Sequence, residues 1–598
     1  MMKKTYHYYK KNGTYHTFKK LDTKYKFINS HKEIQKIHSP HSYKEWVNTL
    51  ESFSTLTKLS YTPLISIIMP TFNSDIKYLK QAIESVINQH YRFWELCIAD
   101  DASNNQETID LLKYFDKNFS NIRVKYRTSN GHISEASNTA LAMSQGDYIA
   151  FLDHDDLLSP YALYEVVKVL NSEKRLKLIY SDEDKIDENN QRFEPHFKSG
   201  WNPDLLLSQN YINHLLVLKN ELVEQLQGFR RGYEGAQDYD LLLRALKFVK
   251  QDEIFHIEKI LYHWRAIKGS TALSANDKSY TTRAGVLALQ NYFQDINASV
   301  TISKGLLENT YKITYPLPTI QPLVSILIPT RNGYEILKTC IDSIIKKTNY
   351  KNYEIIIIDN QTTESKTLNY FRKLQSEYTN IQIIAYDYPF NYSAINNFAV
   401  ANAKGELVTL LNNDIEIISD HWLTQMVQHA LRPEIGAVGA KLYFDNDTIQ
   451  HAGVILGIGG VAGHAHKYFH RDDNGYFSRL KIIQNYSAVT SACLVIRRDI
   501  YLEVNGMDEK HLTVAFNDID FCLKVREKGY RNLWTPYAEL YHHESVSRGK
   551  EDNKEKKERF RNEVLFMQDK WGSILKEDFY YNYNLTNKHE NFTLKYED

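Results

Sequence analysis

At 598 residues the chain has room for two large domains of about 250 residues plus flanks. A hydrophobic share of 42% with 24 glycines is ordinary for a soluble globular protein. Lys plus Arg and Asp plus Glu balance at 73 each, so no global field attracts nucleic acid, and that partner is excluded.

The first 50 residues hold eleven lysines against Asp22, Glu33 and Glu45, with Tyr, His and Phe interleaved. This local charge suits contact with an anionic lipid surface. A solvated, partly helical extension is the alternative. Its start has no apolar core after the charges and does not read as a secretory leader. No apolar run approaches the roughly 18–20 residues that span a bilayer. The four cysteines, Cys97, Cys340, Cys493 and Cys522, form no CxxC pair and read as buried thiols in a reducing cytoplasm.

From residue 65 strand and helix patterns alternate. Ile65–Met69 is a short β-branched run stopped by Pro70. Leu79, Ala82, Ile83, Val86 and Ile87 share one helical face. Trp94–Ala99 reads as a strand, Ile109–Phe115 as a helix, Ile122–Tyr126 as a strand, Glu135–Ser144 as a helix and Tyr148–Leu152 as a strand. This alternation predicts an α/β domain with a mostly parallel sheet. Ligands in such sheets bind at the carboxyl ends of the strands. Tyr280–Phe293 reads as a helix and Ser299–Tyr315 as two strands, before the proline-rich segment 315–322.

The pattern then repeats. Residues 64–160 and 323–420 align at a nearly constant offset of 259. Leu64–Thr71 returns as Leu323–Thr330, Asp100-Asp101 as Asp359-Asn360, and Leu152-Asp153-His154-Asp155 as Leu411-Asn412-Asn413-Asp414. A duplicated block this long means two homologous domains rather than a solenoid. The predicted architecture is two Rossmann-like α/β domains in tandem. Their expected bounds are 61–275 and 323–549, with a basic extension 1–60, a linker 276–322 and a charged helix and tail 550–598.

Both first β–α junctions lack GxGxxG, which counts against a nicotinamide or flavin enzyme. The strand ends carry carboxylates instead. Asp153-His154-Asp155-Asp156 offers oxygen ligands of the kind Mg²⁺ or Mn²⁺ takes with phosphate and water. The plainer reading is a helix cap or turn. A second acidic pair follows. Asp238 in Gln237-Asp238-Tyr239-Asp240 matches Asp518 in Asn517-Asp518-Ile519-Asp520 at an offset of 280, so the second copy has gained about 21 residues. Each leads a helix, either as dipole partner or as general base. Tyr262-His263 then matches Tyr541-His542 at 279. A histidine following both acidic clusters in both copies is a candidate metal or diphosphate ligand. The His542 choice over His543 rests on that tyrosine match.

This ordered series, present twice, resembles the family 2 glycosyltransferases with the GT-A fold. It covers most of the chain and further resembles the tandem enzymes of bacterial surface polysaccharide clusters. The resemblance implies roles. Asp100, Asp101 and Asp359 would sit near the nucleotide base, beside Thr71 and Thr330. Asp155 and Asp414, with Asp153, His263 and His542, would hold a divalent cation on the donor diphosphate. Asp153 and Asn412 would touch the donor ribose or sugar. Asp238 and Asp518 would deprotonate the acceptor hydroxyl, with inversion at the anomeric carbon. The implied donors are UDP- or dTDP-sugars, and the implied acceptor is a lipid-linked O-antigen, capsule or similar glycan. The expected site of action is cytoplasmic, peripheral at the membrane. Two other readings stand beside this one: a single active domain with an acceptor-positioning partner, and a non-catalytic glycan or nucleotide scaffold. The segment from Gln450 to His466, with three histidines, occurs in copy two alone and either shapes a pocket or is a plain loop.

Overall fold

The computed structural model describes residues 40–267, 279–543 and 554–596. The basic stretch up to residue 39, and residues 544–553, lie outside the described residues. Two compact units emerge, one mainly Ile37–Ile313 and the other mainly Thr314–Tyr580. Tail residues Tyr581–Leu585 count with the first unit and Thr586–Thr593 with the second.

The first unit begins with helix α1 (Pro40–Thr49). It then builds β1 (Ile65–Thr71), β2 (Trp94–Asp100), β3 (Ile122–Tyr126), β4 (Tyr148–Phe151), β5 (Leu157–Leu158), β6 (Leu178–Ile186), β7 (Arg192–His196), β8 (Leu216–Lys219) and β9 (Ile254–Arg265). The sheet runs β3-β2-β1-β4-β8-β6-β9-β5, with β7 against β6. Strands β3, β2, β1 and β4 are parallel neighbours, and β8 enters antiparallel between β4 and β6. The expected helical face of Leu79, Ala82, Ile83 and Val86 is buried on the helix Ile76–Ile87, capped by Asp75 through Lys77 N–H at 2.8 Å.

Strand β1 runs through Pro70 to Thr71 rather than stopping at the proline. The reason lies in its neighbours. Pairing to β4 ends at Ile68, so Pro70 faces only β2, where Ala99 is its partner. A missing N–H costs little where one side of the ladder has already ended.

After helix Ser279–Asp295 and the ribbon β10 (Thr301–Lys304) and β11 (Tyr311–Thr314), the second unit repeats the plan. Its strands are β12 (Val324–Thr330), β13 (Tyr353–Asp359), β14 (Ile381–Ala385), β15 (Leu407–Leu411), β16 (Ile415–Ile417), β17 (Ile435–Tyr443), β18 (Ile449–His451), β19 (Val454–Leu456), β20 (Ala462–His464), β21 (Gln484–Tyr486), β22 (Cys493–Arg497) and β23 (Arg531–His542). The order is β14-β13-β12-β15-β22-β17-β23-β16, the first unit's order element for element. Ile65 pairs with Trp94 as Val324 pairs with Tyr353, so the register repeats at the sequence offset.

The duplication reaches single atoms. Gly146 N–H donates to Ser66 Oγ and Gly405 N–H to Ser325 Oγ, both at 2.8 Å. Those hydroxyls donate to buried Glu95 and Glu354 at 2.5 and 2.6 Å. A Cβ on either glycine would lie 2.7 Å from the carbonyl of Leu64 or Leu323, so both positions require glycine. All four cysteines are buried free thiols, as expected. Among the described residues no helix is long and apolar enough to cross a membrane.

Candidate active sites

In the first unit the predicted residues gather at the carboxyl ends of β1, β2 and β4. Thr71 Oγ1 donates to Asp100 Oδ1 at 3.3 Å, and Ser103 N–H to its Oδ2 at 3.0 Å. Asp101 accepts Arg127 Nε at 2.7 Å and Gly131 N–H at 3.0 Å, which ties the loop after β3 to the end of β2. In the second unit Asn360 fills Asp101's place and donates to the carbonyls of Tyr386 and Tyr388. Thr362 N–H donates to Asp359 at 2.9 Å, and Asn413 Nδ2 donates to Thr330 Oγ1 at 2.9 Å.

The acidic run 153–156 caps no helix. It leads into β5, and the next helix, Ala162–Ser172, starts at Tyr161 with no side-chain cap. Asp153, Asp156 and His214 place ligand atoms within 4.8 Å of one another. Asp156 already accepts Tyr262 Oη–H at 2.6 Å and Arg265 N–H at 2.7 Å. Burial raises the Asp153 carboxyl, with the charges of Asp155 and Asp238 adding to the rise and His214 opposing it. Crowded carboxyls held above their usual range would be relieved by a bound cation, so these residues fit a divalent metal. Asp155 is half-buried, and its carbonyl accepts Arg265 Nε at 2.6 Å.

His263 points Nδ1 at Asp184 Oδ1, 2.5 Å away. Asp184 also accepts Arg192 Nε at 2.5 Å and Tyr43 Oη–H at 2.7 Å. Burial would lift Asp184, but His263 and Arg192 hold it below the ordinary carboxylate range. An ionised Asp184 fixes the proton on Nδ1 and leaves Nε2 as the ring's ligand atom. Asp238 is the second residue of helix Gln237–Ala245 and accepts Asn210 Nδ2 at 2.9 Å.

In the second unit three of the predicted groups, Asn412, Asp518 and His542, line one cavity of about 410 Å³ together with Tyr392, while Asp414, Asp359 and Thr330 are not part of its lining. Asn412 Nδ2 lies 3.3 Å from His542 Nε2, and Tyr392 Oη–H donates to Asn412 Oδ1 at 3.0 Å. Asp414 Oδ1 is buried and pairs with His542 Nε2, 3.2 Å away. A buried carboxylate oxygen facing an imidazole nitrogen is a fit for a divalent cation. Asp518, second residue of helix Asn517–Glu527, accepts Ser491 N–H at 3.1 Å and Ile519 N–H at 3.0 Å.

The two acids are driven apart. Burial raises Asp518 despite its hydrogen bonds. Burial would also raise Asp414, but His542 brings it below the usual value. Burial thus favours the protonated form of Asp518, and His542 favours the ionised form of Asp414. His543 is engaged elsewhere, 2.6 Å from Asp445 and 3.2 Å from Glu416.

Sequence reasoning did not find His214, Asp184 or Tyr392. His214 precedes β8, which only the sheet order places beside β4. Asp184 and Tyr392 lie far from their partners in sequence, and no local pattern marks them.

Similarity to known proteins bears on these two sites. The family described as Glycosyl transferase family 2 matches residues 66–226 and 325–503, one match in each unit. The chain belongs to that family, with two GT-A-type α/β domains in tandem. It is 48% identical over 538 residues to "Uncharacterized protein y4gI" of Sinorhizobium fredii, covering 90% of this chain and 59% of that one. It is 36% identical over 501 residues to "O-antigen biosynthesis protein RfbC" of Myxococcus xanthus, covering 82% and 38%. The chain therefore spans less than two thirds of either relative's length. Among solved structures, a mannosyltransferase of Pyrobaculum calidifontis, in complex with GDP-Man and Mn²⁺, aligns at 16% identity and TM-score 0.32, covering 43% of this chain and 66% of that one.

Proposed function

We propose that the chain is a bifunctional inverting glycosyltransferase that moves sugars from UDP- or dTDP-sugars to a growing lipid-linked surface glycan. The observation that carries the reading is the meeting of Asp518, Asn412 and His542 at one cavity in copy two, with Asp414 Oδ1 3.2 Å from that histidine. The 36% identity to a protein named for O-antigen biosynthesis supports the choice of glycan.

Asp518 takes the proton of the acceptor hydroxyl. The freed oxygen attacks the anomeric carbon as the bond to the diphosphate breaks, and the configuration inverts. Asp414 and His542, with Asn412, would hold Mn²⁺ or Mg²⁺. In copy one Asp153, Asp155 and His263 would do so, with His214 beside Asp153. A bound divalent cation supplies positive charge against the departing diphosphate. Asp238 plays Asp518's part in the first domain, and Asn210 orients it. Thr71, Asp100, Thr330 and Asp359 shape the base end of each donor cleft.

The competing reading has copy two catalytic and copy one positioning the acceptor. It is favoured by the cavity that joins base and histidine in copy two. Asp238→Asn and Asp518→Asn separate the readings. Each change should abolish one linkage, by about 10²–10⁴-fold in kcat. If Asp238→Asn leaves every linkage intact, copy one is not a catalyst. If neither change slows transfer, the base assignment fails. Proton NMR of the product's anomeric centre checks inversion.

A further inference from the structure

The segment from Gln450 to His466, present in copy two alone, is not used in the reaction above. It folds as the end of β18 and the antiparallel pair β19–β20, and it brings Gln450 and His464 to the wall of the cavity. Thr490 N–H points at His451 Nε2 at 3.4 Å. A ring nitrogen accepts only when it carries no proton, so His451 holds its proton on Nδ1. That proton is directed at His464 Nδ1, 2.8 Å away. His464 must then carry its own proton on Nε2, for which the described residues provide no partner. Burial keeps both rings neutral, lowering His451 to about 3 and His464 further below its usual range. Gln450 is 5% exposed, and its Oε1 accepts no hydrogen bond.

The wall therefore offers one uncharged donor and one uncharged acceptor, both unsatisfied within the protein. Gln450 Oε1 is a buried acceptor without a partner, which is costly, while His464 is half-buried, so a ligand that pairs both gains most at Gln450. A diphosphate would be better served by cationic or charge-assisted donors. A hydroxyl both donates and accepts, and sugar rings carry several. We propose that Gln450 and His464 form a hydroxyl-reading subsite for a sugar ring in the copy-two cavity, with His451 as the positioning residue that sets the tautomer of His464. The subsite rests on the transferase reading above. It serves either the sugar of the donor or the terminal sugar of the acceptor, and it disfavours a ring deoxygenated at the contacted position, because the wall groups would then stay unpaired.

The test uses the full-length enzyme with the UDP-, dTDP- or GDP-sugar that it turns over. Wild type, Gln450→Leu, His464→Phe, His464→Gln and His451→Phe are compared for donor KM, acceptor KM, melting temperature, and affinity for the bare nucleoside diphosphate. Gln450→Leu and His464→Phe should each raise one KM about three- to tenfold, with nucleoside diphosphate affinity unchanged. A rise in donor KM assigns the subsite to the donor sugar, and a rise in acceptor KM to the acceptor sugar. His464→Gln retains an N–H donor and should keep most of the affinity, while His451→Phe should shift the same KM as His464→Phe. The proposal is overturned if Gln450→Leu and His464→Gln melt as wild type does and every variant that folds keeps both KM values. It is also overturned if affinity for the bare nucleoside diphosphate falls by the same factor. A wild type that neither transfers sugar nor binds any nucleotide sugar overturns the transferase reading itself, and the subsite with it.

Discussion

Asn397→Ala tests how the segment leading to Asp518 is held. Asn397 Nδ2 donates to the carbonyl of Met507, and its Oδ1 accepts Met507 N–H, both at 2.9 Å. The same Oδ1 accepts Tyr501 Oη–H at 2.7 Å. The amide thus holds Met507 by both its backbone N–H and its carbonyl. Neighbouring Gly506 has φ 58°, and a Cβ there would lie 2.3 Å from the Oδ1. Truncation removes these three hydrogen bonds and a longer one of 3.4 Å to Glu509 Oε2, and it leaves the Met507 N–H and carbonyl without the amide. At about 1 kcal/mol net per bond, reduced for the half-exposed position, the domain loses about 2–3 kcal/mol. For a domain of this size that lowers the melting temperature by about 5–10 °C. Calorimetry reads the loss, and transfer assays should show kcat falling more than KM, because the base is displaced rather than removed. Asn397→Asp keeps the acceptor and loses the donor, so it should fall between wild type and Asn397→Ala. The first domain supplies a control. Asn138 grips Phe229 with the same two bonds at 2.8 Å, so Asn138→Ala should lower the other melting transition. An Asn397→Ala protein that melts within about 1 °C of wild type would refute the reasoning.

The raised Asp518 gives a pH prediction with a definite sign. The folded state binds this proton more tightly than the unfolded chain, so the contribution to stability is full at low pH and is lost as pH rises through the raised pKa. As a base the residue works only when ionised. The acid limb of kcat/KM for its linkage should therefore lie above the roughly 3.9 of a free aspartate, and a limb at or below that value contradicts the assignment. Gly146→Ala and Gly405→Ala press a methyl group against strand backbone and should each cost about 1–3 kcal/mol in urea unfolding. Variants that unfold with wild-type midpoints would show that the strands can part more easily than their packing implies.

Much of the fold was legible because its signals are local. The β-branched runs, the helical face of Leu79, Ala82, Ile83 and Val86, and the offset of 259 all survive as strands, a buried face and a repeated register. Gly146 and Gly405, and Asn138 and Asn397, sit at the same offset of 259 and make matching contacts. Pro70 misled because strand termination depends on whether a neighbour is still present, which only the sheet order reveals. The cap alternative at 153–156 gave way because β5, not a helix, follows. His263 was read beside Asp155, but the contact that the structure gives its Nδ1 is Asp184, on a strand 79 residues away in sequence. His214 reaches Asp153 through an antiparallel insertion that no spacing announces. The coupling of His451 to His464 arises from a hairpin that the repeat could not predict, since copy one has no counterpart.

The central claim is that each unit holds a metal-assisted donor site, centred on Asp155 in one and on Asp414 with His542 in the other. Thermal melting of the intact protein with UDP-, dTDP- and GDP-sugars, with and without Mn²⁺, tests it most directly. Wild type should be stabilised by one nucleotide family in a metal-dependent way. Asp155→Ala and Asp414→Ala should each remove part of that stabilisation, and the double variant all of it. Stabilisation that persists undiminished in the double variant, or its absence in wild type, would contradict the account.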